Sequence, residues 1–180
     1  MELLATAIDN TNRAIGKVVS WFVLLMVLVQ FGVVVARYVF GVGNLWAQES
    51  IIYMHGFLFT LAAAYTLSEE GHVRVDIFYR EASLRYRAWV DLLGALFLLI
   101  PVSIIIVTTS WGYVSTSWRV FESSQEASGI PAVFALKTAI PVMGMLLAAQ
   151  GVTMVIRSAL LLSGRMPTTP KHDVETHMSA

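Results

Sequence analysis

Charged residues divide this chain into long apolar stretches. Lys17 and Arg37 enclose 19 uncharged residues, Glu49 and Glu69 another 19, and Lys137 and Arg157 a further 19. A helix rises about 1.5 Å per residue, so each stretch covers about 28 Å, close to the hydrocarbon thickness of a bilayer. The fourth gap, Asp91 to Arg119, holds 27 residues, about 40 Å as helix. Its last part, WGYVSTSW, is polar and aromatic, which ends the span near Ser110 and places Trp111 and Tyr113 at an interface. The pattern predicts an all-α membrane protein whose domain, residues 18–162, crosses the bilayer four times, at about 18–36, 50–68, 92–110 and 138–156.

The flanks read differently. Residues 1–17 form a cytoplasmic N-terminal segment carrying Asp9, Arg13 and Lys17. The apolar run that follows is too long, and too far from the start, for a cleaved signal peptide, so a retained signal-anchor helix is expected. The last residues, 163–180, are polar and contain Pro, the composition of a disordered cytoplasmic tail.

Orientation follows from the basic residues. The N-terminal segment, the central loop and the C-terminal end hold Arg13, Lys17, Arg74, Arg80, Arg85, Arg87, Arg157, Arg165 and Lys171, against Arg37, Arg119 and Lys137 in the other two loops. Short loops rich in Lys and Arg stay cytoplasmic, so both termini are expected inside. In the central loop, His72, Arg74 and Asp76 alternate with Val73, Val75 and Ile77, an extended period-2 pattern. From Phe78 onward helix formers take over, with Arg80, Arg85, Arg87 and Trp89 beside apolar bulk. That suits an amphipathic helical segment anchored among lipid headgroups, where each basic side chain gains about 1 kcal/mol. A merely solvated loop is the alternative.

Composition agrees with the pattern. Of the 180 residues, 57% are hydrophobic and 13% charged, and the mean hydropathy is +0.69. The formal net charge of zero gives no reason to expect a nucleic-acid partner. Without cysteine there is no disulfide, thiolate metal site or thiol nucleophile.

Few residues offer chemistry. Glu49, with Trp46 three residues before it and Tyr53 one turn further in, stands at the outer entrance of the second span. It could contact a partner subunit or an ion, or be a helix-start acid beside an interfacial tryptophan. His55 reads as a bundle-facing hydrogen-bonding residue. With His72 17 residues away, about 25 Å along a helix, the two make a poor haem pair. Asp91 is expected to begin the third helix. In the third loop Pro131 fits a first helical turn after a non-helical approach at Gly129 and Ile130. A straight helix over residues 132–162 would run about 47 Å, so residues 131–138 are expected outside or across the membrane surface, with a bend at Pro141. The loop's Glu122, Ser123, Ser124, Glu126 and Ser128 suit either protein docking or plain solvation. Gly56, Thr60 and Ala64, and Gly144, Ala148 and Gly151, fall at helical spacing, as close helix packing requires. No nucleophile–base pair, phosphate loop or metal cluster emerges, which argues against an enzyme.

Trp46-Ala-Gln-Glu49, His72-Val-Arg-Val-Asp76, Ser128-Gly-Ile-Pro131 and Ile140-Pro141, in this order on four spans, resemble the small membrane subunit of tripartite ATP-independent periplasmic (TRAP) transporters, the DctQ type. The resemblance covers about residues 10–162. It implies a bacterial or archaeal inner-membrane subunit without a transport site or cofactor of its own. In that family a separate large membrane subunit binds sodium and moves an organic anion, a carboxylate or sulfonate, by an elevator-like motion. A periplasmic binding protein delivers the substrate. The small subunit pads and anchors the fixed scaffold, and phospholipid can fill the joint. By position, Trp46 and Glu49 would lie near the outer face, while His72, Arg74 and Asp76 would stabilise the inner loop. Ser128, Gly129 and Pro131 would shape the outer turn. Two readings compete: a redox-enzyme membrane anchor holding haem or quinone through His55 and His72, and a self-sufficient small transporter or channel.

Overall fold

The computed structural model describes residues 2–69, 82–126 and 128–164, and within them the chain is helical. Helix α1 runs from Glu2 to Phe40. Gly41 ends it in the left-handed conformation, φ 66°, which lets Val42 donate back to the Ala36 carbonyl at 3.0 Å. Asn44 then caps α2, Leu45–Ser68, its side chain accepting from the Ala47 N–H at 3.1 Å. Helix α3, Leu84–Arg119, opens on Ser83, which accepts from the Tyr86 N–H at 3.3 Å. It passes through a widened π turn at Ala95–Leu99. Pro101 follows that turn. It has no N–H, and its ring would clash with the carbonyl four residues back, so a locally wider ladder relieves the conflict. Helix α4, Val133–Leu162, continues through Pro141.

All four helices are long and apolar enough to cross a membrane. They form two antiparallel hairpins, α1–α2 and α3–α4, joined by the packing of α4. Helix α4 touches each of the other three, and a third (33%) of its most apolar window is buried, against 6% in α1 and α2 and 11% in α3. The interior is inverted relative to a water-soluble bundle. Its largest fully buried side chains are Asn12, Thr153 and Ser103, while Phe31, Phe59, Phe97 and Leu98 face outward. Lipid tails are as apolar as leucine, so small residues and hydrogen bonds, not burial of large apolar groups, hold membrane helices together.

Several sequence expectations change. The first helix starts at Glu2, so residues 2–17 are not a separate segment; Ala5, Asp9, Asn12 and Gly16 form its buried face. At 39 residues α1 measures about 58 Å and must tilt or project beyond the hydrocarbon. The described part of the expected interfacial segment, Leu84–Trp89, is the start of α3 itself, so Asp91 lies two turns into that helix instead of beginning it. Trp111 and Tyr113 lie within α3, which runs on to Arg119. Helix α4 starts at Val133, two residues after Pro131, so Pro131 precedes the first turn. The tail beyond Gly164 lies outside the described residues.

Candidate functional site

The polar residues collect at the two ends of the bundle. At the end where α2 begins, the Glu49 carboxylate reaches across to the turn that joins α3 to α4. It accepts the Ser124 hydroxyl at 2.5 Å and the Ile130 N–H at 2.6 Å. Tyr53, one turn further along α2, donates to the Ile130 carbonyl at 3.4 Å. Within the turn, Ser124 N–H donates to the Ile130 carbonyl at 3.3 Å and Gly129 N–H to the Glu126 carbonyl at 2.9 Å. Gly129 packs directly under this clamp. A Cβ there would stand 2.3 Å from Ser124 Oγ and 2.7 Å from Glu49 Oε1, so the position has no room for a side chain.

Beside the clamp, Lys137 of α4 pairs with Glu122 at 2.5 Å and lies over the Tyr113 ring, 4.0 Å from its centroid. The ammonium holds the Glu122 carboxyl below the usual carboxylate range. Trp118, Phe121 and Phe134 pack edge to face, with Trp118 and Phe134 centroids 4.6 Å apart. Trp118 Nε1 donates to Thr138 Oγ1 at 2.8 Å. Phe121, the turn residue after α3, has φ 46°, a strained backbone for an aromatic side chain.

At the opposite end, α1 is fastened to α4 and α2. Asn12 Nδ2 donates to Gln150 Oε1 at 2.7 Å, and Gln150 Nε2 donates to Asp9 Oδ1 at 3.0 Å. The second Asp9 oxygen pairs with Arg157. Arg13 pairs with Glu69 at the end of α2, at 2.6 Å. One turn inward, Gly16 lets the Tyr65 ring approach so closely that a Cβ would lie 2.2 Å from it.

Of the small residues picked out by spacing, Gly56, Gly144 and Gly151 pack against other helices of the chain. A Cβ on Gly56 would meet Leu136 of α4 at 2.6 Å. One on Gly144 would meet Val107 at 2.7 Å and the Ser103 carbonyl at 3.0 Å, and one on Gly151 would meet Ile100 at 2.8 Å. The other predicted residues divide. Glu49 and Gly129 come together in the clamp, whereas Trp46, Ser128 and Pro131 are exposed around it. Arg85 and Trp89 are exposed on the first turns of α3, and Arg87 Nε donates to the Ala82 carbonyl at 3.1 Å. His72, Arg74, Asp76 and Arg80 lie outside the described residues. The expectation for His55 is reversed. Its ring points away from the bundle and stacks on the exposed Phe59, centroids 6.5 Å apart.

Sequence reasoning missed the Asp9–Asn12–Gln150–Arg157 network, although Asp9 and Asn12 stand three apart on one helix face and Gln150 interrupts an apolar run. It also missed Gly16 and the inward turn of Ser124 and Glu122.

Every helix of this arrangement falls at least partly inside a match to one family model. The model described as "Tripartite ATP-independent periplasmic transporters, DctQ component" matches residues 26–161, well over half of the chain. The chain belongs to this family. The match begins midway along α1 and ends one residue short of the end of α4. It therefore takes in the Glu49 clamp with Gly129, and Gly56, Gly144 and Gly151, but not Asp9, Asn12 or Gly16. The C4-dicarboxylate TRAP transporter small permease protein DctQ of Vibrio cholerae serotype O1 is 28% identical over 95 residues. That stretch is 53% of this chain and 40% of the Vibrio protein, so the match spans less than half of the relative's length. No solved structure gives a significant match to this DctQ-family chain.

Proposed function

We propose that this chain is the small permease subunit of a TRAP transporter and acts as a scaffold for a separate, large, sodium-coupled membrane subunit. That partner carries the sodium and substrate sites, and a periplasmic binding protein delivers the substrate, an organic anion of the carboxylate or sulfonate class. The name of the Vibrio relative favours a C4-dicarboxylate. The family match across residues 26–161 carries this reading. The geometry supports the static role: the Glu49 clamp, the Asp9 network and the Arg13–Glu69 and Lys137–Glu122 pairs all tie helices of the chain to one another. A stationary wall against which another subunit moves needs that kind of internal fastening. The excess of basic residues at the termini and central loop supports a cytoplasmic location for both ends. It also favours a bacterial or archaeal inner membrane whose anionic headgroups hold Arg80, Arg85 and Arg87. Phospholipid filling the joint between subunits belongs to the same proposal.

Affinity purification from the native membrane in mild detergent, with mass spectrometry of what accompanies the chain, tests the reading. A stoichiometric large polytopic protein is the expected result. A homo-oligomer alone, or a haem-bearing redox partner, would overturn it.

A further inference from the structure

The outward surface of the apolar bands is not uniform. On α3 the exposed residues Phe97, Leu98, Val102, Ile104 and Ile105 are hydrocarbon. The hydroxyls beyond them, Thr108 and Thr109, return their protons to carbonyls of their own helix at 2.9 Å and 2.7 Å. Lipid satisfies such a surface completely. On α2, Ile52 and Phe59 are 62% and 73% exposed, and the exposed His55 lies between them on the same side of the helix. The only interaction of His55 among the described residues is the ring contact with Phe59. On α1 the exposed Gln30 has no hydrogen-bond partner among the described residues.

Depth connects the two. The antiparallel register fixed by Gly16 against Tyr65 and Arg13 against Glu69 sets Gln30 opposite residue 51, about 6 Å along the axis from His55. His55 is six residues past Glu49, about 9 Å into the apolar run. A polar side chain at that depth is costly when it faces hydrocarbon, because lipid tails offer no hydrogen bond. The α1–α2 hairpin therefore carries two unsatisfied polar groups at nearly one depth, set among exposed apolar side chains, and the exposed stretch of α3 from Phe97 to Thr109 carries none.

We infer that the outward α2 stripe of Ile52, His55 and Phe59, with Gln30 of α1 at its level, is the surface on which a transmembrane helix of the large subunit packs. That helix presents a hydrogen-bonding side chain or an unwound carbonyl to His55. The inference rests on the proposed function and names which face of the chain meets the partner. The outer face of α3 is left to lipid.

The chain has no cysteine, so single thiols can be placed without background in this subunit. His55→Cys, Phe59→Cys and Leu98→Cys, each carrying a benzophenone maleimide, are irradiated in the assembled complex. Adducts with the large subunit are expected from positions 55 and 59, and none from position 98. His55→Leu should weaken retention of the large subunit by roughly three- to tenfold, the range one interhelical hydrogen bond supplies, and His55→Gln should restore most of it. Adducts only with lipid or a second copy of this chain, in a preparation that still contains the large subunit, would overturn the inference and leave the proposed function standing. Absence of the large subunit from the unlabelled preparation would sink both.

Discussion

Glu49 illustrates how a single side chain holds an irregular segment. A turn between two membrane helices leaves backbone donors without partners, and at an apolar boundary water satisfies them poorly. The carboxylate accepts one of these donors, Ile130 N–H, together with the Ser124 hydroxyl. Replacement by Leu removes both acceptors. Amide exchange across residues 122–131 should then quicken several-fold while the four helices keep their protection. Hydrogen exchange by mass spectrometry checks this, and unchanged exchange in the turn would remove the clamp role. Gln should be milder, since its carbonyl still accepts from Ile130. Glu122 gives a pH dependence of known sign. Its carboxyl is held below the usual range by Lys137, so this contribution is fully present above the unfolded carboxylate pKa. It is lost as pH falls through the lower folded value. Thermal unfolding of the purified chain should lose stability in acid in the wild type, and Glu122→Gln should flatten that loss at every pH tested.

Between helices, fit decides more than charge. At Gly144 a side chain would meet backbone as well as Val107, so neither rotamer change nor small tilting makes room. Gly144→Leu forces α3 and α4 apart, and overpacking of this kind costs about 1–3 kcal/mol or more. A lower melting temperature in detergent measures it, and an unaltered one would show that the hairpin tolerates separation. Gly56, Gly144 and Gly151 were legible because small residues recurring at helical spacing signal a contact face. Their partners were not, because spacing on one helix says nothing about the helix opposite. The same limit hid His55. Helix α2 is apolar nearly all round, so no stripe told inside from outside. Gly16 was harder still, a lone glycine whose need appears only when Tyr65 is placed against it.

For the molecule as a whole, the four spans could be read directly from the gaps between charges, since a bilayer fixes the length of an apolar run regardless of how helices pack. The start of α1 was hidden because its buried face is polar. Asp9 and Asn12 resemble a soluble segment until Gln150 and Arg157, well over a hundred residues away, complete them. Removing Asp9 should therefore act at long range. Asp9→Ala deprives both Gln150 Nε2 and Arg157 of an acceptor, and an orphaned buried donor costs about 1–3 kcal/mol. Protease cleavage near residues 5–15 should rise in parallel with loss of thermal stability. Equal protection in the variant and the wild type would show that α1 docks without the network.

Because α4 touches the other three described helices and follows them in the chain, synthesis delivers the keystone after the stones it supports. The α1–α2 hairpin can close early on Gly16, Tyr65 and the Arg13–Glu69 pair. Asp9, Glu49, Tyr53 and the Gly56 notch must wait in the membrane, open, until residues 130–157 emerge. During that interval the half-built protein exposes polar groups that any insertion chaperone or neighbouring helix can occupy. Nascent chains stalled before α4 should accordingly be held by such factors and degraded when released, and chains that include Leu162 should escape both fates.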